Sequence, residues 1–385
     1  MNVTISVFGR FHAFYLANQL HKRGHLQRLI TSYPKFEVGK YGIPHNKTKS
    51  LLFYELVDRA WNRWLPYSLK PDIDFMYWFN HVFGKAAARH IPEQTDIYIG
   101  WSGKSKAGLQ RAKKIGATTI LERGSSHPEF HRDILIEEYD KYGLQSKIES
   151  QHKTYENEGI EEYELADFVC LPSEFTKRTY LEKGFSEKQL IVVPYGVDLR
   201  QFRQVPKTDD TFRVIFAGGM TLRKGVHYLL QAFSELKLPK AELWLLGTKT
   251  PEIEPFFQKY AGYFRHFGHI AQNQLHQYYC QCSVFAICSL EEGLALVQPQ
   301  AMACGLPIIC TTNTGGEDLI ENGKEGFVIP IRDIDAIKEK IVWCYDNQEQ
   351  CKQMGQAAKQ RVAKGFSWED YGEKIIEAYK QCLER

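Results

Sequence analysis

A polar turn at Glu291–Gly293 separates a predicted strand from a predicted helix in the last third of the chain. The strand, residues 283–288, is a short apolar run with β-branched and aromatic members. The helix, residues 294–304, is followed by a glycine and a proline, which commonly come after a helix end. A second apolar strand at 308–311 completes a parallel βαβ unit, and the strand ends of such units are the usual place for a ligand.

The residues of this turn could bind a phosphorylated sugar. Unpaired backbone N–H groups at Gly293, Leu294 and Ala295 would point to a common spot, where the helix dipole attracts phosphate or hydroxyl oxygens. Glu292 could accept hydrogen bonds from a polyol, and Gln300, about two helical turns further on, could reach a second pair of hydroxyls. These residues favour a nucleotide-sugar site. The alternative is an ordinary turn in which Glu292 is a solvated cap.

A second loop with glycines and cations lies between a predicted strand and a predicted helix within residues 212–236. Gly218 and Gly219 offer flexible backbone donors, and Arg223 and Lys224 follow. This combination suits a diphosphate, because arginine binds oxygen pairs bidentately and lysine acts as a point charge. A chance Arg-Lys pair on a surface loop is the alternative, which the flanking strand and helix disfavour.

The N-terminal strand, residues 3–8, turns at Gly9 into a helix predicted over 11–23. The GxGxxG fingerprint is missing, so a dinucleotide site is not supported. Arg10 and His12 at the helix start predict an anion site instead. The alternative for His12 is a surface histidine in the first helical turn.

His127 lies in a polar loop that follows a predicted strand at 118–121. It could position a sugar hydroxyl or move a proton. The alternative is a loop histidine that hydrogen-bonds to the backbone.

Strands and helices alternate along most of the chain, which predicts an α/β protein with two Rossmann-like domains facing each other across a cleft. The polar stretch 204–210 is the best domain boundary. We therefore expect an acceptor domain at 1–205 and a donor domain at 206–367. An amphipathic helix within 368–385 is expected to pack back on the first domain.

Composition excludes several classes of protein. The 385 residues include 49 basic and 46 acidic side chains, a net charge of +3, so nothing indicates nucleic acid as a partner. The nine cysteines form no CxxC pair, which argues against a disulfide framework and a zinc site and favours reduced cytoplasmic thiols. The N-terminus resembles a strand rather than a signal peptide, and no apolar run approaches the ~20 residues that span a bilayer.

Aromatic residues are frequent between residues 35 and 90. Helical packing is the favoured explanation, because aromatics most often fill cores. An acceptor-sugar site or contact with a membrane surface is the alternative. The reduced cysteines predict a location in the cytoplasm, and peripheral attachment at the inner face of the membrane is left open.

These motifs together resemble the GT-B fold glycosyltransferases of retaining family 4. The family pattern is Glu-Gly, six residues, then Glu-Ala-x-Ala-x-Gly-x-Pro, and the corresponding residues here are Glu292-Gly293 and Gln300-Ala301-Met302-Ala303-Cys304-Gly305-Leu306-Pro307. Further similarity lies at 194–198, 218–225 and 267–269. The resemblance covers nearly the whole chain and is strongest after residue 165.

The resemblance implies a role for each matching residue. Glu292 would bind hydroxyls of the donor sugar, Gln300 the ribose, and Lys224 the diphosphate. His127 would lie near the C6 hydroxyl and the reaction centre. Backbone donors to phosphate would come from Ala295, Leu296 and Val297.

The activity implied is retaining transfer of a hexose from a nucleoside-diphosphate sugar to a hydroxyl of a glycan, a lipid-linked or a small-molecule acceptor. Lys224, Arg223 and the helix start at Gly293 would stabilise the leaving diphosphate, so no metal or other cofactor is required. The Asp-x-Asp triplets at 72–74 and 333–335 do not follow nucleotide-binding strands, and we interpret both as helix-entry caps.

Two departures from the family pattern motivate other functions. Gln300 replaces the second glutamate, and Gly219 stands where an arginine is usual. They favour, as alternatives, a catalytically silent nucleotide-sugar-binding scaffold. An epimerase or phosphorylase on the same architecture is a further alternative.

Overall fold

The structure, a computed structural model, describes residues 1–64, 74–144 and 159–384. Two parallel sheets form its framework. The first has seven strands in the order β3-β2-β1-β4-β5-β6-β7: β1 Val3–Val7, β2 Leu26–Thr31, β3 Thr48–Ser50, β4 Ile97–Trp101, β5 Thr118–Glu122, β6 Phe168–Leu171 and β7 Leu190–Val192. The second has six strands in the order β10-β9-β8-β11-β12-β13: β8 Phe212–Ala217, β9 Ala241–Leu246, β10 Arg265–His266, β11 Val284–Ile287, β12 Ile308–Thr311 and β13 Gly326–Ile329.

Helices cover both sheets. Those of the first part of the chain are α1 Ala13–Lys22, α2 Lys35–Gly39, α3 Leu52–Trp64, α4 Asp74–Ala88, α5 Lys106–Lys114, α6 Pro128–Lys141, α7 at residues 159–165 and α8 Glu174–Leu181. Those of the second part are α9 Val226–Leu236, α10 Glu254–Lys259, α11 Leu275–Tyr279, α12 Val297–Ala303, α13 Gly316–Leu319, α14 Ile334–Asp346, α15 Gln348–Ala363 and α16 Trp368–Leu383.

The central strands of each sheet are buried on both faces, as their continuous apolar sequences predict. All strand pairs in both sheets are parallel. The carboxyl ends of the strands therefore lie along one edge in each sheet. This edge carries the loops after β1 and β5 in the first sheet and the loops after β8 and β11 in the second. The predicted site residues lie on these two edges.

The segment 193–211 joins the sheets and contains the predicted boundary between residues 205 and 206. Helix α16 packs against α1 of the first domain. The rings of Tyr15 and Trp368 are stacked with centroids 4.0 Å apart, and Lys22 Nζ lies 3.1 Å from Glu369 Oε1. A capping box between Ser367 and its neighbours starts the helix.

Several helices begin later than their sequence patterns indicate. Helix α1 begins at Ala13 rather than Phe11, because Gly9 and Phe11 have φ angles of 90° and 41°, which a right-handed helix does not allow. Helix α12 begins at Val297, three residues after the predicted start, and the short strand β3 was not predicted.

The predicted cap at Asp333 is confirmed, since its side chain accepts a hydrogen bond of 2.8 Å from the backbone N–H of Ala336. The triplet at 72–74 begins outside the described residues. Within the described ranges, no helix is long and apolar enough to cross a membrane. Among the same residues, no group of three or more His, Cys, Asp or Glu side chains is arranged to hold a metal ion.

Candidate functional site

The loop after β11 lies against the loops of the first sheet. A Cβ atom at Gly293 would overlap the carbonyl oxygen of Gly124, which follows β5. The hydroxyl of Ser173, which follows β6, donates a hydrogen bond of 2.6 Å to the carbonyl oxygen of Gly293. Glycine is required at position 293 because two backbones meet there with no room for a side chain. The carboxyl edges of the two sheets thus face each other across this contact.

Arg223, Lys224 and Glu292 form one charged cluster at this edge. Arg223 Nη1 donates to Glu292 Oε1 at 3.2 Å, and Lys224 Nζ forms an ion pair with Glu292 Oε2. The side chains of Lys224 and Glu292 are only 17% and 14% exposed, so this ion pair is screened less than a surface pair. The residues that the sequence assigned to the diphosphate and to the donor sugar are therefore neighbours in the fold.

Backbone contacts hold the two loops of this cluster together. The N–H group of Leu290 donates to the carbonyl oxygen of Arg223 at 2.8 Å. Gly225 starts α9 with a φ angle of 62°, and a Cβ atom there would overlap the carbonyl oxygen of Cys288. This close approach explains the glycine that follows Lys224.

Glu291, which the sequence analysis left without a role, is fully buried and joins the two domains. Its Oε1 accepts hydrogen bonds from the Ser125 hydroxyl at 2.7 Å and from the Ser126 backbone N–H and hydroxyl, both at 2.8 Å. Its Oε2 lies 2.8 Å from Nδ1 of His131 and 3.1 Å from Nη1 of Arg223. A buried carboxylate with this many donors has its charge and hydrogen bonds satisfied.

The protonation of this cluster follows from burial and charge. Burial raises the pKa of Glu291, but His131, Arg223 and the Ser126 N–H outweigh it and hold the pKa well below its usual range. Burial and the neighbouring charge of Arg223 lower the pKa of Lys224 to about 7, and the charge of Glu291 opposes this effect. A bound dianion would shift the pKa of Lys224 upward again.

The structure does not bring His127 to this cluster. His127 caps α6: its Nδ1 accepts from the Glu129 N–H at 3.3 Å, and its ring packs against Tyr163, Tyr180 and Phe185. Burial lowers the pKa of His127 to about 4. The backbone-bonded alternative describes this position.

His131, rather than His127, contacts the loop after β11. One turn along α6, it contacts Glu291 as described above. The sequence does contain a signal, since a second histidine follows His127 after four residues, about one helical turn.

The predicted anion site at the first loop is divided between two environments. Arg10 Nη1 donates to the Tyr41 hydroxyl at 3.0 Å, and both residues line a cavity of about 910 Å³ beside α1 and α16. The N–H of Gly9 donates to the Ser32 hydroxyl at 3.0 Å. His12 is buried, with Nε2 3.2 Å from Glu122 Oε2, so the surface-histidine alternative is wrong.

The predicted backbone donors surround the start of α12. Leu294 and Ala295 are buried, Leu296 immediately precedes the helix, and Val297 is its first residue. Gln300 is 6% exposed, and its Oε1 has no hydrogen-bond partner among the described residues. A buried amide oxygen without a partner is uncommon and indicates a group that a ligand or water satisfies.

The two glycines of the loop after β8 differ in their surroundings. Gly218 has a φ angle of 148°, and its carbonyl group packs against Gly247. No atom of the described residues lies within 4 Å of a Cβ atom built at Gly219. The position where the family has an arginine is thus open space in this chain.

A second buried carboxylate also links the domains. Glu138 on α6 accepts hydrogen bonds from His227 Nε2 at 2.9 Å, from the Tyr228 hydroxyl at 2.7 Å and from Arg332 Nε at 2.7 Å. Burial raises the pKa of Glu138, but these three hydrogen bonds outweigh it and bring the pKa to about 2. Glu138 and Glu291 together hold α6 against the second domain.

This architecture defines a class of protein: two Rossmann-like domains with a cation-bearing, glycine-containing site on the facing strand ends. Residues 198–361 match the family described as Glycosyl transferases group 1. This match covers most of the second domain and part of the linker, and it confirms the predicted resemblance to glycosyltransferases at that level. Family 4 membership and retaining stereochemistry stay predictions.

Curated relatives agree with this match. The chain is 29% identical over 174 residues to O-antigen chain mannosyltransferase B of Escherichia coli, covering 43% of this chain and 45% of that protein. It is 25% identical over 202 residues to a probable sucrose-phosphate synthase of Thermosipho melanesiensis, covering 47% of this chain and 45% of that protein. The chain thus spans about half the length of the curated relatives it matches.

Solved structures match over the whole length. Sucrose-phosphate synthase from Thermosynechococcus elongatus has a TM-score of 0.74 at 19% identity, covering 100% of this chain and 99% of that chain. HepE of Anabaena in complex with UDP has a TM-score of 0.69 at 14% identity, covering 99% and 100%. These matches confirm the predicted fold class, two Rossmann-like domains in the GT-B arrangement.

Proposed function

We propose that this protein is a glycosyltransferase that moves a hexose from a nucleoside-diphosphate sugar to a hydroxyl acceptor. The observation that carries the proposal is the cluster of Arg223, Lys224 and Glu292 on the strand-end edge of the second domain, opposite the first domain. Cations at that edge suit a diphosphate leaving group, and the paired carboxylate suits sugar hydroxyls.

The ion pair of Lys224 and Glu292 gives the donor a defined way to bind. The diphosphate replaces Glu292 as the partner of Lys224, and Glu292 turns to the hydroxyls of the sugar. Arg223 keeps its hydrogen bond of 2.8 Å to the carbonyl oxygen of Glu291, so its guanidinium stays in place while the partners exchange. Charge stabilisation at the leaving group is what such a transfer requires most.

The nucleotide half of the donor is supported by Gln300 and by the structural relatives. The unpartnered Oε1 of Gln300 can accept a hydrogen bond from a ribose hydroxyl. The HepE structures contain UDP and UDP-glucose, whereas one relative from Corynebacterium glutamicum is named as GDP-mannose-dependent. A panel of UDP-, GDP- and ADP-sugars decides among the bases.

The proposed transfer retains the configuration of the sugar. The acceptor hydroxyl attacks on the face that the diphosphate leaves, and an oxygen of the leaving phosphate takes the acceptor proton. Arg223 and Lys224 supply the positive charge, so the proposal requires no metal ion. The acceptor enters from the first domain, and its chemical class is left to the assay.

The test is donor hydrolysis and transfer by Lys224→Met and Glu292→Ala. We expect each variant to lose roughly 100-fold or more in turnover, the usual effect of removing one group that stabilises developing charge. A matched pair of controls is Lys249→Met and Glu254→Ala, because these residues form an ion pair elsewhere in the second domain. Near wild-type turnover in both site variants, with a donor that the wild type uses, would exclude the assignment.

The remaining alternatives give different results in the same experiments. A catalytically silent scaffold is the alternative that Gln300 and Gly219 suggest. Such a protein would turn over no donor, whether or not calorimetry detects nucleotide binding. A phosphorylase would release sugar 1-phosphate from a glycan when phosphate is added. An epimerase would change the donor sugar without an acceptor.

A further inference from the structure

A cavity of about 530 Å³ opens at the amino edge of the second sheet. Its walls include Phe212 at the start of β8, Ser283 just before β11, and Leu306 just before β12. The amino edge of a parallel sheet is opposite the carboxyl edge that carries Lys224 and Glu292. This cavity is therefore separate from the proposed donor site, and its size is that of a small-molecule pocket.

Cysteines are concentrated around this cavity. All nine cysteines of the chain are buried, and none of them is in a disulfide. Five of them line this one cavity, which makes it the place where a small thiol reagent could reach them: Cys280, Cys282, Cys304, Cys344 and Cys351. Three lysines, Lys207, Lys352 and Lys359, line it as well, and so do Asp209 and Asp210, of which Asp209 is paired with Arg213.

The surroundings of Cys280 favour its thiolate. The backbone N–H of Val205 donates to Cys280 Sγ at 3.2 Å, and the thiol of Cys304 is hydrogen-bonded to the same sulfur. The Cys304 hydrogen bond, the Val205 N–H and the charge of Lys359 together lower the pKa of Cys280 to about 7 against the effect of burial. A thiolate of this kind is the form that attacks disulfides.

The other cysteine pair in the cavity lacks this arrangement. Cys344 and Cys351 also hydrogen-bond to each other. The Cys280 thiol and the Cys351 thiol each donate to a backbone carbonyl oxygen at 3.5 Å, that of Arg203 and that of Ser283 respectively. The two pairs thus share one cavity, and they differ in the Val205 N–H, which donates to Cys280 Sγ.

We infer that Cys280 and Cys304 form a thiol–disulfide exchange site that takes small anionic disulfides of the glutathione type from this cavity. The Cys280 thiolate attacks one sulfur of the oxidised disulfide and forms a mixed disulfide, and one reduced thiol leaves. The Cys304 thiol then loses its proton and attacks Cys280 Sγ, which releases the second reduced thiol. Two protein thiols are oxidised to one disulfide, and the incoming disulfide is reduced to two thiols.

The site lies under the linker between the domains. The Val205 N–H and the Arg203 carbonyl oxygen, 3.5 Å from Cys280 Sγ, both belong to that linker. Gln204 between them accepts a hydrogen bond of 3.1 Å from Lys359 on the wall of the cavity. Oxidation removes the thiolate that the Val205 N–H contacts, so the linker is the part of the backbone that responds.

The experiment treats the folded full-length chain with glutathione disulfide and follows each cysteine by peptide mass spectrometry. We expect the wild type to lose two hydrogen atoms in a disulfide between Cys280 and Cys304. Cys304→Ser should accumulate glutathione on Cys280. Oxidation at Cys280 should be at least about tenfold faster than oxidation of the Cys344–Cys351 pair. This fast reaction should be absent in Cys280→Ser and should persist in Cys351→Ser.

Each other result overturns the proposal. If the native wild type stays unmodified while the denatured chain reacts, the cavity does not admit the reagent. If Cys351→Ser removes the fast reaction, or if Cys280 reacts no faster than Cys351, the Val205 contact has no role. Because Cys304→Ser is an independent trap for the first step, the test does not depend on the folding of Cys280→Ser, and it needs no donor sugar.

Discussion

Nδ1 of His131 lies 2.8 Å from Oε2 of Glu291, and this contact joins a helix of the first domain to the loop after β11 in the second. The same carboxylate holds Arg223, which in turn contacts Glu292. A single buried side chain thus connects the domain interface to the cluster that we propose binds the donor. The arrangement therefore links the position of the first domain to the orientation of Arg223.

Glu291→Gln should therefore destabilise the protein and reduce donor binding together. The variant keeps the shape of the side chain but leaves Arg223 and the Ser126 donors facing a neutral amide in a buried site. Removing one charged partner from a buried ion-pair network lowers the free energy of unfolding by about 3–5 kcal/mol, which denaturant unfolding measures. The matched control is Glu317→Gln, whose exposed ion pair with Arg178 also crosses the domains and should matter by less than about 1 kcal/mol. Equal effects of the two variants would contradict the role of Glu291.

Gln300→Glu should raise the affinity for the nucleotide. The Oε1 of Gln300 is buried and has no hydrogen-bond partner in the part of the chain that the structure describes, and a carboxylate there would accept charge-assisted hydrogen bonds from a ribose diol. We expect a gain of up to about tenfold in affinity by calorimetry, equivalent to roughly 1.4 kcal/mol. Gln356→Glu, on the exposed part of α15, is the control for an added charge. Weaker binding by Gln300→Glu alone would mean that this side chain does not face the nucleotide.

His127→Asn should leave donor turnover unchanged and alter the pH dependence of stability. Burial lowers the pKa of His127 from 6.5 to about 4, so the unfolded chain takes up a proton in this interval while the folded chain does not. The free energy of unfolding therefore falls as the pH drops from 6.5 toward about 4, by roughly 2–3 kcal/mol. Asparagine can still cap α6 but does not titrate, and the variant should lose this acid-side decrease.

The measurement is denaturant unfolding at several pH values, with turnover followed at neutral pH. The free energies of unfolding of the wild type and of His127→Asn should change differently as the pH falls below 6.5. A large loss of turnover in His127→Asn at neutral pH would instead support the role near the reaction centre that the family resemblance implies.

Gly293→Ala should separate the domains. The added methyl group would overlap the Gly124 carbonyl oxygen, and relief requires the loop after β11 to move away from the first sheet. We expect a larger radius of gyration in small-angle scattering and a lower melting temperature. Gly365→Ala, where nothing lies within 4 Å of the new Cβ atom, is the control and should change neither quantity. An unchanged radius for both variants would show that the contact does not hold the domains together.

Much of the fold could be predicted from the sequence because it depends on local pattern. Short apolar runs followed by glycine-containing turns and helices indicated the strands around residues 3–8, 212–217 and 283–288, and all three are present. Their parallel arrangement then placed Gly218 and Glu292 on one edge. Helix starts were less accurate, because the turn conformations at Phe11 and before Val297 depend on contacts that the apolar pattern does not contain.

The sequence by itself determined the alternation of strands and helices and the grouping of Arg223, Lys224 and Glu292 on one edge, since both follow from local periodicity and parallel pairing. Only the tertiary structure decided which residues of the first domain meet them. His127 and His131 share one helix, yet one is buried as a cap and the other contacts Glu291. That difference depends on how the two domains are placed against each other. The placement is set by distant contacts such as those of Gly293 and Glu138, which no local pattern encodes.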